Sequence, residues 1–84
     1  MSRFYFDVRE DGKFISAEEG LEFESLDAAE HEATKDAAEI GRDRLPKGDA
    51  HEITVEVRDE HGERVLTVTV SMTVRREACA LAYA

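Results

Sequence analysis

Apolar and polar residues alternate from the start of the chain. Phe4, Phe6 and Val8 fall on one face and Tyr5 and Asp7 on the other, the period of a half-buried strand. Arg9-Glu10-Asp11-Gly12-Lys13 supplies turn chemistry, with Gly12 free to take the positive φ of a tight hairpin, and Phe14-Ile15 begins a short return strand. From Ala17 to Glu24 the pattern is mixed: Gly20 interrupts it and Leu21 and Phe23 stand two apart, which fits a loop or a short strand piece equally well.

A different period begins after Ser25. Leu26, Ala29, Ala33, Ala37 and Ile40 recur at spacings of three and four and form one apolar stripe, while His31, Glu32, Lys35, Asp36, Glu39 and Asp43 fall largely off it. Ser25 suits the N-cap, Asp27 and Glu30 place negative charge in the first turns, and Arg42 and Arg44 suit the last. Pro46 and Gly48 end the helix. The centre of the stripe is alanine, so the helix axis is expected close to a sheet. Period two then returns. Ile53, Val55 and Val57 alternate with Thr54, Glu56 and Arg58, and Asp59-Glu60-His61-Gly62-Glu63 makes a turn. Leu66, Val68, Val70, Met72 and Val74 next oppose Thr67, Thr69, Ser71 and Thr73, a strand long enough to outrun its partners within the chain.

These elements predict an α+β fold of the order ββαββ, an antiparallel-rich sheet of about four strands with one helix packed on one face. Residues 1–77 are expected to form a single domain and 78–84 an apolar tail that is frayed, a short helix or an interface. The two hairpins echo each other, Phe6-Asp7-Val8-Arg9-Glu10-Asp11-Gly12 resembling Val55-Glu56-Val57-Arg58-Asp59-Glu60-His61-Gly62. Acidic residues before a glycine suit turns in general, and that is the plainer explanation beside a duplication.

The opening Arg3-Phe4-Tyr5-Phe6-Asp7-Val8, the Asp11-Gly12 turn, Glu18-Glu19-Gly20-Leu21-Glu22, the alanine-rich helix and Val55-Glu56-Val57-Arg58-Asp59 together resemble a family of small bacterial domains of unknown function, over about residues 3 to 75. That resemblance implies the fold and leaves the activity open. In element order and helix start the chain also resembles, more faintly, HicB-type antitoxin-like domains, which implies a regulatory partner. Such antitoxins often add a DNA-binding segment, for which 84 residues of this charge leave no room.

Composition narrows the chemistry. With 42% hydrophobic residues the chain has enough apolar material for a small core, and 37% charged residues do not make it disordered. No stretch approaches a membrane span, and the first residues lead directly into a strand, so a cytoplasmic location and no membrane partner are expected. Cys79 is the single cysteine, which excludes an internal disulfide. The net charge of −9 repels a phosphate backbone, so no nucleic-acid partner is expected. Between Lys13 and Lys35 stand seven acids and no Lys or Arg, among them Glu18, Glu19, Glu22, Glu24, Asp27 and Glu30. The ordinary reading is a solvated face; the alternative is a docking surface for a basic protein.

Acid pairs such as Glu18-Glu19 and Asp59-Glu60 are abundant enough to arise by chance, and catalysis would require a cleft that separates their pKa values. His31, His51 and His61 have no ligand spacing, and the sequence holds no phosphate loop or nucleophile elbow. The expectation is therefore no enzyme, no cofactor and no metal site. The function expected is that of an acidic interaction module that self-associates, in the concrete form of a homodimer. The interaction surface would run from Glu18 through Glu30 and include Leu81 and Tyr83 of the tail. The alternative is an antitoxin-like or regulatory partner of a basic protein.

Overall fold

The computed structural model describes residues 1–48 and 50–77. Its elements run β1 (Ser2–Glu10), β2 (Lys13–Ile15), β3 (Leu21–Phe23), α1 (Leu26–Arg44), β4 (Glu52–Arg58) and β5 (Arg64–Ser71). The strands form one antiparallel sheet in the order β2-β1-β4-β5, with β3 also paired to β1, and α1 covers one face. The fold is α+β, as the alternation and the helical stripe require.

The sheet has five strands, not four. Leu21-Glu22-Phe23 is a strand because β1 is long enough to serve two partners on one edge: Ser2–Phe4 pairs with β3 and Val8–Glu10 with β2. The last strand is shorter than its alternation suggests. β5 ends at Ser71, opposite Glu52, where β4 begins, so the pattern through Met72 and Val74 continues without a ladder partner and no part of β5 outruns β4.

Helix α1 is capped by the Ser25 hydroxyl, which accepts from the Ala28 N–H at 3.2 Å, and closes with the Leu45 N–H donating to the Gly41 carbonyl at 2.9 Å. The buried stripe is Ala29, Ala33, Ala37 and Gly41; Leu26 is exposed at the helix start, and Ile40 lies at the border. These small residues bring the backbone close to the sheet. A Cβ added at Gly41 would stand 3.1 Å from Val70 Cγ1.

Below the helix, Phe4, Val55 and Val57 join the alanines in one core cluster, while Leu45, Ala50 and Ile53 form a second that meets the first at Val70. Phe23 anchors β3 by stacking on Phe6, with ring centroids 5.7 Å apart. In the first turn the positive φ belongs to Asp11 (51°), not Gly12. Aspartate tolerates this region better than most residues. Its carboxylate is also committed, accepting from the His51 and Glu52 N–H groups at 3.0 and 3.2 Å and so tying the hairpin to the start of β4. Those bonds, the His51 one foremost, hold the Asp11 carboxyl below its usual range.

Because Ala33 and Ala37 are fully buried against β4 and β5, Ala37→Leu overpacks this layer. Urea unfolding is expected to show a loss of about 1–3 kcal/mol with little change in slope.

Candidate functional site

The face of the sheet opposite the helix is polar but not fully wet. It carries Tyr5, Asp7 and Arg9 from β1, Thr54, Glu56 and Arg58 from β4, and Thr67 and Thr69 from β5. Asp7 and Glu56 are direct cross-strand partners and only 2% and 7% exposed. Two carboxylates so placed repel unless cations separate them. Arg58 supplies the first cation, its Nε donating to Asp7 Oδ2 at 2.7 Å and its second contact reaching Oδ1 at 3.2 Å. Arg9 and Arg64 supply the second, lying 3.6 and 3.1 Å from Glu56.

The hairpin echo acquires a geometric meaning here. Asp7 and Glu56 occupy matching positions of the repeat, as do Arg9 and Arg58, and the strands that carry them lie antiparallel side by side. Each arginine reaches the carboxylate of the other strand, so the four groups are related by a local pseudo-two-fold axis. Aromatic rings support both arginines: Arg58 lies 5.0 Å from the centre of Tyr5 and Arg9 lies 4.7 Å from that of Phe14.

Residues 16–20 fold over this network. The Ala17 N–H donates to Asp7 Oδ1 at 2.8 Å and Ser16 Oγ lies 3.4 Å from the same oxygen. At the end of the segment, a side chain on Gly20 would collide with the Arg3 chain, since its Cβ would fall 2.4 Å from Arg3 Cγ. Burial alone would raise the Asp7 pKa, but Arg58 and the Ala17 N–H outweigh it and hold the carboxyl below its ordinary value. A carboxylate held ionised at neutral pH by Arg58 and the Ala17 N–H does not donate a proton there, so Asp7 serves the sheet and not as a general acid.

The acids singled out in the sequence do not converge in one element. Glu18 and Glu19 lie in the covering segment, Glu22 in β3, Glu24 before the helix cap, and Asp27 and Glu30 in the first turns of α1, all six exposed. Among the described residues only Glu22 of these has an ion pair, with Arg3 at 3.1 Å. Leu81 and Tyr83 lie outside the described residues. Asp7, Glu56, Arg9, Arg58 and Arg64, which the sequence reading did not select, form the densest charge network; the signal was there in the alternating signs of the two echoed segments.

Other chemistry is sparse. An open groove of about 290 Å³ runs between Phe4, Leu26, Val65 and the Asp59–His61 turn. The Asp59 carboxylate beside it is already occupied, accepting from the His61 and Glu63 N–H groups, which lower its pKa, the Glu63 bond most. Among the described residues no group of three or more His, Cys, Asp or Glu is placed to hold a metal, and no helix is long and apolar enough to cross a membrane. On the helix, burial and then the neighbouring Glu32 push Asp36 up to about 6.

In contrast to that satisfied centre, the far edge of β5 has no strand beside it among the described residues. It is uncharged from Val65 to Val74, with Thr67, Thr69 and Ser71 exposed and Leu66, Val68 and Val70 half-buried. Compared with known proteins, residues 3–71 match a family model described as Domain of unknown function (DUF6894). No curated protein and no solved structure matched.

Variants at Asp7, Arg58 and Asp36 test this electrostatic picture. Asp7→Ala strands Arg58 and the Ala17 N–H and is expected to cost about 2–3 kcal/mol in urea unfolding. Asp7→Ala with Arg58→Met is expected to cost less, since no charge is left unpaired. The wild-type contribution of Asp7 is present above its unfolded pKa of 3.8 and is lost as the pH falls through the lower folded value. Asp36 has the opposite sign: its raised pKa makes the folded state lose stability as the pH rises from about 4 to about 6. Asp36→Asn is therefore expected to raise the melting temperature at pH 7, by about 4–8 °C per kcal/mol recovered, and to change it little at pH 4.

Proposed function

The chain belongs to this DUF6894 family, and from that premise we propose that it is a small acidic interaction module that self-associates as a homodimer and acts by binding, not catalysis. The observation that carries this reading is the outer edge of β5, which has no strand beside it among the described residues. An edge strand of this length exposes a row of backbone donors and acceptors, and proteins commonly blunt such edges with lysine, proline, an inward charge or a covering loop. Within β5 the charged Arg64 and a register irregularity are confined to the start of the strand, and from Leu66 to Ser71 it holds no lysine, proline or charge. The buried carboxylates support the same reading from the other side, since Asp7 and Glu56 are both engaged in ion pairs within the sheet.

A strand-to-strand contact of this length falls below the roughly 1,200 Å² of a standard interface, which places the dimer among weak associations. Light scattering coupled to size exclusion across micromolar concentrations is expected to give a mass rising from 9.4 kDa toward twice that value. Thr67→Lys, an exposed substitution, is expected to weaken the association at least tenfold while leaving thermal unfolding of the monomer within about 0.5 kcal/mol of wild type. A mass of one chain at every concentration would refute the reading.

Glu18, Glu19, Glu24, Asp27 and Glu30, exposed and without an ion pair among the described residues, favour a second reading, a regulatory partner for a basic protein. A monomeric mass together with a basic partner retained at low salt and released at high salt would move the conclusion there.

A further inference from the structure

Resting on the self-association just proposed, we infer that the strand received at the β5 edge is β5 of a second copy, antiparallel, with the two-fold axis passing through Val68. Charge selects the partner. A chain of net charge −9 repels its own copy over most of its surface, and the β5 strip is a long stretch where two copies meet without opposing acids. Each copy presents the same alternating face, so the contact is self-complementary as a two-fold interface requires.

The register follows from the side-chain period. In β5, Leu66, Val68 and Val70 face the helix layer while Thr67 and Thr69 face away. A neighbouring strand continues the sheet only if helix-side residues meet helix-side residues, so the axis passes through a residue and never between two. The irregularity opposite Val57 and Arg58 limits the choice further. It places Arg64 with the polar face, where its guanidinium meets Glu56 at 3.1 Å, and interrupts the alternation before Leu66.

An axis at Thr67 would set Arg64 against Val70. An axis at Thr69 would set Leu66 against Met72, beyond the end of the strand. Only Val68 pairs every half-buried aliphatic residue of β5 with another inside the strand, Leu66 with Val70 and Val68 with itself. On the other face it sets Thr67 opposite Thr69, repeating the hydroxyl pairing that Thr54 and Thr69 already make at 3.1 Å within one chain.

Exposed cysteines test the register directly. In a Cys79→Ser background, Thr67→Cys and Thr69→Cys chains are oxidised separately and as an equimolar mixture, alongside light scattering of the same samples. The mixture is expected to give at least tenfold more disulfide-linked dimer than either variant alone. Linking of Thr69→Cys to itself would move the axis to Thr69, and linking of Thr67→Cys to itself would move it to Thr67; either overturns the inference. A dimeric mass without cross-links in any sample would place the contact elsewhere, overturning the register while self-association stands. A monomeric mass overturns both.

Discussion

The structure depends on the pairing of β1 with β4, and within it on two carboxylates that face each other across the strands. β4 is buried on both sides: Ile53, Val55 and Val57 lie beneath the helix, and Glu56 lies beneath Arg9 and Arg64 on the opposite face. A carboxylate in such a place is tolerated only when paired, and the pairing here is reciprocal, each strand supplying the cation for the other's anion. Slipping β1 by one residue would put Asp7 among the phenylalanines and Phe6 among the arginines. The charges thus make the register of the two central strands far more costly to change than aliphatic packing alone would.

The network also accounts for the covering segment. Residues 16–20 carry little apolar surface of their own, yet they are held where Asp7 accepts the Ala17 N–H and where Gly20 leaves room for the stem of Arg3. From there β3 is delivered to the first residues of β1, and Phe23 enters the core against Phe4 and Phe6. A polar contact on one face therefore positions an aromatic contact on the other. The acidic composition of this stretch leaves its exposed carboxylates in water at no structural cost.

Much of this was legible in the residues. The helix start at Ser25, the alanine stripe and the alternation of β1, β4 and β5 are local signals, and local periodicity reports which face of an element is buried. What depended on distant partners was not legible. Leu21-Glu22-Phe23 is too short to announce itself and becomes a strand only because β1 has an unoccupied half. β5 stops at Ser71 because β4 starts at Glu52, a limit set some twenty residues away that no pattern within Leu66 to Val74 contains. Asp7 was read as a solvent-facing residue of an alternating strand, but Arg58 and the 16–20 link between β2 and β3 close over it. The positive φ passed from Gly12 to Asp11 because the carboxylate finds His51 and Glu52, again beyond local reach.

The two edges of the sheet are not alike. On one side β1 is shared between two three-residue strands with the 16–20 crossing between them, a broken rim that gives an incoming chain no continuous template. On the other side β5 is one continuous strand, regular from Leu66 to Ser71. A building block with two smooth rims adds copies without limit and forms a fibre, whereas one with a single smooth rim is used up by its first union. If copies join through β5 as proposed, the division of β1 between β2 and β3 would act as a terminator, setting a ceiling on assembly at the sheet edge opposite the one where it begins.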